Sequence, residues 1–460
     1  MTDTNATWRN RSLQAVWHPC TQMKLHGTPD SPRQPLVPIV RADGVWLEDA
    51  EGQRYLDGIS SWWVNLFGHN HPAIRAALVD QLERLDHVML AGFTHPPVVE
   101  LSERLAKLTG LGHAFYGSDG ASATEIALKM SAHYWRNAGR AEKCQFVALE
   151  GGYHGETVGA LGVTDIPLFR TAYAPLLRLA ATVPSPDARR ATTGQTAEQV
   201  AEAAADQLEA WLQAHHQTTA AIIVEPLIQC AAGMVMHHPR YLQRVRALCD
   251  QYEVHLVADE IAVGFGRTGT MFAHQQAGIR PDFICLSKGL TGGTLPLSAV
   301  LTTDTVYQAF YDEDVARGFL HSHSYTGNPL ACRAALATLD LFEQTGILEK
   351  NVQTSDQLWA QFAPLTDHPR VHHARRLGMV FAWDVPNRLP DFAKRFAAHA
   401  LARGAVLRPI GHTVYAMPPY VISEAEGALL AQAALGALEA TLAEESAGRP
   451  QSTTGVVDGV

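Results

Sequence analysis

The sequence predicts an α/β protein: a large domain on a mostly parallel sheet covered by helices, followed by a smaller α+β domain. Three observations support this. Short apolar runs alternate with stretches of helical periodicity through the middle of the 460-residue chain. Two of those runs end in an acid and in a lysine, as strand ends lining a site do. Beyond about residue 340 the alternation gives way to a shorter mixed pattern. With 47% hydrophobic residues the chain can bury a large core and is long enough for more than one structural unit.

Taken in order, the first forty residues carry Pro19, Pro29, Pro32, Pro35 and Pro38 and read as an irregular arm. Residues 44–52 read as a hairpin turning at Ala50, Glu51 and Gly52. From Pro72 to Leu90 the positions Ile74, Leu78, Leu82 and Leu85 recur at helical spacing. Strands are expected at 113–117, 145–149, 220–224, 254–259, 282–287 and 297–302, with helices at 121–138, 198–215 and 238–252 between them. Such continuous apolar strands suit a parallel sheet buried on both faces. Residues 183–197 read as a surface excursion. A helix around 338–348 leads out of this domain, and strands are expected near 377–384 and 412–417. The resulting boundaries are an arm with part of the small domain at 1–60, the large domain at 61–340 and the rest of the small domain at 341–445. Residues 446–460 lack periodicity and are expected to be a disordered tail. There is no internal repeat.

A formal charge of -10 weighs against a nucleic-acid or anionic-membrane partner. Six cysteines are dispersed without a CxxC pair and read as reduced thiols. The opening residues are polar with no apolar segment behind them, and no run reaches the roughly 18 apolar residues of a membrane helix. A soluble, cytoplasmic enzyme is expected.

Among seven lysines, six have polar or helix-forming neighbours through which an ammonium reaches water. Lys288 instead ends the apolar run Phe283 to Ser287. Loss of solvation there disfavours the charged form and leaves a nucleophilic amine. Upstream, the strand from Val254 ends in Asp259 and Glu260. A buried acid and a buried amine on neighbouring strand ends match the needs of pyridoxal phosphate, a lysine for its aldehyde and an acid for its pyridinium nitrogen.

Other motifs surround this pair. Tyr116 to Glu125 joins a strand to a helix, so that Gly120 and Ala121 offer bare amides and a helix dipole to a phosphate; an ordinary N-cap by Ser118 or Asp119 is the competing reading. Gly151-Gly152-Tyr153-His154-Gly155 places an aromatic ring beside glycines that allow close approach to a planar group. Gly264 to Gly269 is a literal GxGxxG, but the carboxylates just before it repel a diphosphate, which excludes a nicotinamide dehydrogenase; Arg267 is expected to pair with nearby acids or phosphate. The pairs His69/His71 and His321/His323 lack further ligands at suitable spacing, so no metal is expected. Ser322-His323-Ser324 precedes a helix and offers hydroxyls to an anion or a cap.

In this combination the segments resemble the class III aminotransferases of pyridoxal-phosphate fold type I, from about Trp17 to Leu442. Val257 to Gly269 together with Leu286 to Gly293 is the most specific part. The resemblance implies that Lys288 bonds the cofactor aldehyde, Asp259 holds the pyridinium proton, Tyr153 covers the ring, and Gly120 and Ala121 hold the phosphate. His323 and Ser324 would reach the phosphate of the neighbouring subunit in a homodimer with shared sites. Within the class, Trp17-His18-Pro19, Ser60 to Trp63 with Gly68 to Pro72, and Met417 to Tyr420 resemble the branch that serves biotin synthesis. That likeness implies S-adenosylmethionine as donor and 8-amino-7-oxononanoate as acceptor, with Trp62, Ser322 and Arg408 at substrate-contacting positions and Arg408 on a substrate carboxylate. Three positions depart from the pattern: Asp119-Gly120-Ala121 stands for Ser-Gly-Ser, Ser322-His323-Ser324 for Gly-Pro-Thr, and Cys20 for a tyrosine that closes the Trp-His-Pro arm. The nearest rival is an ω-aminotransferase using diamines or amino acids with pyruvate. A catalytically dead binding protein is disfavoured because Asp259, Lys288 and Tyr153 are all retained.

Overall fold

The computed structural model describes residues 4–26, 36–389 and 391–447. Seven strands form the central sheet: β1 (His113–Gly117), β2 (Gln145–Leu149), β3 (Ala181–Val183), β4 (Thr219–Val224), β5 (His255–Asp259), β6 (Phe283–Leu286) and β7 (Ser298–Thr302), in spatial order β1-β7-β6-β5-β4-β2-β3. Only β7 runs antiparallel to its neighbours. This is the mostly parallel sheet expected from the apolar runs, and it brings the C-terminal ends of β1, β2, β4, β5 and β6 to one edge.

The central strands β4 to β7 are buried at every position because both faces are covered, and alternate residues serve different cores. Ile222, Leu256 and Ile284 point into one, under helices α2 (Ala197–His215) and α3 (Arg240–Tyr252); Ile223, Val257 and Phe283 point into the other, under α1 (Gly120–Asn137). The three helices start and end within two residues of the expected spans. Helix α4 (Pro329–Thr345) leads out of the sheet region into Ile347–Gln361.

Two small sheets flank this body. Ile39–Asp43, Trp46–Asp49 and Arg54–Asp57 form an antiparallel meander that is joined by Ala405–Val406 from the far end of the chain. His372–Leu377, Val380–Asp384 and Thr413–Ala416 form the other.

Four expectations need correction. The arm is not irregular throughout, since Asn5–Ala15 is a helix capped by Thr4. Pro29, Pro32 and Pro35 lie outside the described residues. The helix from Pro72 stops at Leu82, short of Leu90. The excursion at 183–197 begins inside the short edge strand β3. Finally, the last helix runs Glu424–Ala447, two residues into the expected tail, whose remainder lies outside the described residues. All six cysteines are free thiols, and no helix is long and apolar enough to cross a membrane among the described residues.

Candidate active site

The shared strand edge gathers residues that are far apart in sequence. Asp259 closes β5, Glu225 follows β4, Tyr153 and His154 follow β2, Gly120 starts α1 just after β1, and Lys288 follows β6. They border a cavity of about 490 Å³ that Trp63 also lines.

Lys288 stands partly buried with its Nζ 4.6 Å from the centre of the Trp63 ring. Burial pulls its ammonium below the ordinary lysine value of 10.5, so the neutral amine is reached at lower pH. Its backbone is left-handed, with φ +44°, an uncommon state for a residue with a side chain and a mark of strain at a functional position. Asp259 is buried. Its Oδ2 lies 2.6 Å from His154 Nδ1, and its Oδ1 accepts the Ile261 N–H at 3.1 Å. Glu260, next along the strand, points the other way and accepts the N–H groups of Ala273 and His274. The two-residue period of the strand therefore assigns one acid to the cavity and one to the core.

Gly120 and Ala121 open helix α1 behind Asp119, whose side chain accepts the Ser122 N–H at 2.8 Å. Asp119 caps the helix, and Gly120 and Ala121, whose first-turn amides have no acceptor within a helix, border the cavity. Gly155, at φ +121°, passes so close that a Cβ there would sit 2.6 Å from that of Ala121. Tyr153 lies between cavity and surface, its ring tilted 5.5 Å from Phe169 and its hydroxyl donating to Glu156 at 3.0 Å. Burial pushes its phenol well above 10.

A second cluster joins residues from three parts of the chain. The Arg408 guanidinium lies 4.7 Å over the ring of Trp62, and its Nη2 donates to the Cys20 carbonyl at 3.5 Å. Trp62 is 43% exposed, whereas Trp63 is buried with its Nε1 donating to Tyr415 Oη at 3.0 Å. Ser60, Ser61, Trp62 and Trp63 all have positive φ, between +46° and +73°, and form one turn of left-handed helix. Each such residue costs about 1–2 kcal/mol, so the surroundings must hold the turn in place.

The structure does not bring Ser322, His323 or Ser324 to the cavity of their own chain. Ser322 and Ser324 are exposed, and His323 Nε2 lies 3.3 Å from Ser118 Oγ. Arg267 also departs from expectation. It forms no ion pair among the described residues and donates instead to the carbonyls of Trp63, Asn65 and Pro418, because the fold buries it where only backbone acceptors are present. Lys143, expected to reach water, is buried; its Nζ donates to the His216 carbonyl and stacks on Trp135, and burial pulls it down to about 8. No group of side chains suited to a metal occurs among the described residues.

Three cavity residues escaped the sequence reading: Glu156, Thr157 and Glu225. Glu225 is 4% exposed; Oε2 accepts the Tyr153 N–H and Oε1 the Cys230 N–H, each at 3.0 Å. Burial pushes its carboxyl up to about 7, and the Asp259 charge acts in the same direction. The signal was present: as Asp259 follows the apolar run Leu256 to Ala258, Glu225 follows the apolar run Ala220 to Val224.

The family model for class III aminotransferases matches residues 28–440. The chain belongs to the class III aminotransferases. Among its relatives, adenosylmethionine-8-amino-7-oxononanoate aminotransferase of Helicobacter pylori is 44% identical over 90% of this chain and 93% of its own, and the protein of that name from Nitratidesulfovibrio vulgaris is 40% identical over 94% and 82%. Among solved structures, the adenosylmethionine-8-amino-7-oxononanoate aminotransferase of Methanocaldococcus jannaschii superimposes with a TM-score of 0.87 at 32% identity, covering 95% of this chain and 99% of that one. An (S)-enantioselective omega-transaminase from Thermomicrobium roseum reaches 0.90 at 31% identity, with 96% and 100% covered. The fold is that of the pyridoxal-phosphate-dependent transaminases, and pyridoxal phosphate is the cofactor of this aminotransferase.

The cavity suits that group. A phosphate is served by first-turn amides and a helix dipole, a flat ring by the close approach at Gly155, a ring nitrogen by the buried Asp259, and an aldehyde by the Lys288 amine.

Proposed function

We propose that this aminotransferase transfers the amino group of S-adenosylmethionine to the keto group of 8-amino-7-oxononanoate, a step of biotin synthesis, in the cytoplasm. The observation that carries the reading is the cluster of Cys20, Trp62 and Arg408 beside the Lys288 cavity: a cation that can pair with a donor carboxylate, held on an aromatic face and bonded to the Cys20 carbonyl of the arm. Relatives bearing that name span nearly the whole chain, which supports the same assignment.

Pyridoxal phosphate, when bound, supplies an electron sink for the charge left as an α-proton departs. The rest falls to the chain. The Gly120 and Ala121 amides hold the phosphate, and Asp259, steadied by His154, keeps a proton on the ring nitrogen. Tyr153 covers the ring. Lys288 Nζ, whose charged form burial disfavours, takes the α-proton of the donor and returns a proton on the other side of the transfer. Arg408 binds the donor carboxylate bidentately. Trp62, Trp63 and Tyr153 wall an apolar space for the long chain of the acceptor. The two substrates use the same site in turn, so the kinetics are ping-pong. Ser322 and Ser324, exposed and away from their own cavity, support a homodimer in which Ser324, with His323, reaches the phosphate site of the partner chain.

A spectral half-reaction tests the donor: S-adenosylmethionine alone should convert the bound cofactor to its amino form. Two observations favour a second reading. Cys20 offers no aromatic ring to an adenine, and the fold superimposes equally well on an omega-transaminase. If lysine, a diamine or alanine converts the cofactor and S-adenosylmethionine does not, the ω-aminotransferase reading replaces the first.

A further inference from the structure

The short turn Ala188–Arg190 lies in the excursion that follows β3, and the sheet of His372–Leu377, Val380–Asp384 and Thr413–Ala416 comes from beyond residue 370. Four charged side chains join the two. Arg189 grips Asp187 through Nε at 2.9 Å and Nη2 at 2.8 Å, and extends Nη1 to Asp384 Oδ2 at 3.2 Å. Asp384 Oδ1 accepts from Arg375 Nη2 at 3.1 Å and from Thr413 Oγ1 at 2.8 Å. Arg375 also donates to the carbonyls of Gly233 at 2.6 Å, Met234 at 2.9 Å and His373 at 2.7 Å. With 7% to 22% of their side-chain surface exposed, these four are not the screened ion pairs of a surface. Charges this far out of water persist only when each is paired, so the network specifies one arrangement of the segments that carry it.

Both sides of the network lead to the cavity. On one side, the loop that carries Gly233 and Met234 also carries Cys230, whose N–H donates to Glu225, and Glu225 in turn accepts the Tyr153 N–H. On the other side, Thr413 and Ile410 each donate their N–H to the carbonyl of the other at 2.9 Å, closing the loop that presents Arg408. Gly233, at φ +89°, comes so near this corner that a Cβ would lie 2.7 Å from Thr413 Oγ1. The opposite end of the Arg408 loop is held where Ala405 and Val406 pair with Leu56 and Asp57, the strand that leads to Trp62. Arg408 thus stands on a segment tied at Val406 to the aromatic turn and at Thr413 to the ion network.

We propose that Asp384 is a positioning residue for amino transfer: by joining Arg189, Arg375 and Thr413 it fastens the Arg408 loop to residues 187–190 and 230–234, and so sets where Arg408 stands relative to Lys288. Asp384 does not line the cavity and acts only through the loop. The role rests on the reading of Arg408 as the partner of the donor carboxylate.

The test uses the full-length holoenzyme and whichever amino-acid donor the unmodified enzyme turns over. Asp384→Asn keeps the shape and the acceptor for Thr413 but removes the charge that both arginines share. The variant should keep its cofactor absorbance and lose less than about three-fold in kcat, while donor KM rises about ten-fold. Hydrogen–deuterium exchange over residues 405–413 should quicken about ten-fold. Arg408→Lys should raise donor KM about ten-fold in the parent and less than about three-fold in Asp384→Asn, because both changes act on one contact. Thr413→Val, which keeps the shape without the hydroxyl, should raise donor KM about three-fold and quicken the same exchange. An unchanged donor KM in Asp384→Asn, additive effects of Asp384→Asn and Arg408→Lys, or unchanged exchange overturns the proposal. So does failure of both Asp384→Asn and Thr413→Val to fold, since the network would then serve folding and not the site. If Arg408→Lys leaves the donor KM of the parent unchanged, the reading of Arg408 fails and the positioning role with it. A raised KM in Arg408→Lys beside an unchanged one in Asp384→Asn overturns the positioning role alone.

Discussion

Replacing Glu225 by glutamine removes a buried proton site while keeping the shape of the side chain. Burial raises this carboxyl from 4.5 to about 7. At about 1.4 kcal/mol per unit, the rise corresponds to roughly 3 kcal/mol of pH-dependent stability. The native chain holds the proton more tightly than the unfolded chain does. That stability is therefore complete below pH 4.5 and is lost as pH rises through about 7. Glutamine resembles the protonated acid in shape and does not titrate, but its NH2 cannot accept, so it forfeits one of the two backbone N–H bonds that the Glu225 oxygens accept, a cost of about 1–3 kcal/mol that does not depend on pH. Glu225→Gln should thus start below the parent near pH 4.5 and gain on it by up to roughly 3 kcal/mol between there and pH 7.5. The assay is urea unfolding of cofactor-free protein from pH 4.5 to 7.5. A chain of this size need not unfold in two states, so the observable is the difference between the two midpoints at each pH, in which other titrating groups cancel. Asp259→Asn should move the inflection to lower pH, because the Asp259 charge helps to keep Glu225 protonated. Parallel profiles, or a variant that loses ground as pH rises, would refute the reasoning.

The remaining predictions concern catalysis and assembly. Lys288→Ala should still bind pyridoxal phosphate but lose borohydride-dependent covalent attachment, and turnover should fall by about 10²–10⁴-fold or more; near-native turnover would overturn the assignment. Asp259→Asn leaves a neutral amide that cannot hold the proton on the ring nitrogen and should lower kcat by about 10²–10⁴-fold; steady-state rates showing only a few-fold loss would mean that another group serves the ring nitrogen. Cys20→Tyr should lower the KM for S-adenosylmethionine several-fold or leave it unchanged, since one aromatic contact is worth about 0.5–1.5 kcal/mol; a marked rise in KM would contradict the placement of the arm. Light scattering should report a dimer, and mixing inactive Lys288→Ala and Arg408→Ala chains tests which residues share a site; an active monomer would rule out sharing.

The sequence by itself determined the sheet and located the acid and the lysine proposed for the cofactor. A strand buried on both faces reads as a continuous apolar run, so β1, β2 and β4 to β7 could be located within a residue or two, and the acid and the lysine ending β5 and β6 stood out against those runs. Elements without such a signal did not. The helix Asn5–Ala15 buries none of its residues and leaves no apolar stripe, while β3 is three residues long. Burial imposed from afar was equally hidden. Lys143 has Glu142 and Cys144 as neighbours, yet Trp135 and the His216 carbonyl enclose it. The left-handed turn at Ser60–Trp63 contains no glycine to announce it, because its φ values are set by Asp57, Met417 and Arg267 from separate segments. The meeting of Cys20, Trp62 and Arg408 spans nearly four hundred residues. Local sequence reports what a segment prefers on its own, whereas these features arise where several segments together overrule that preference, and only the tertiary structure decides them.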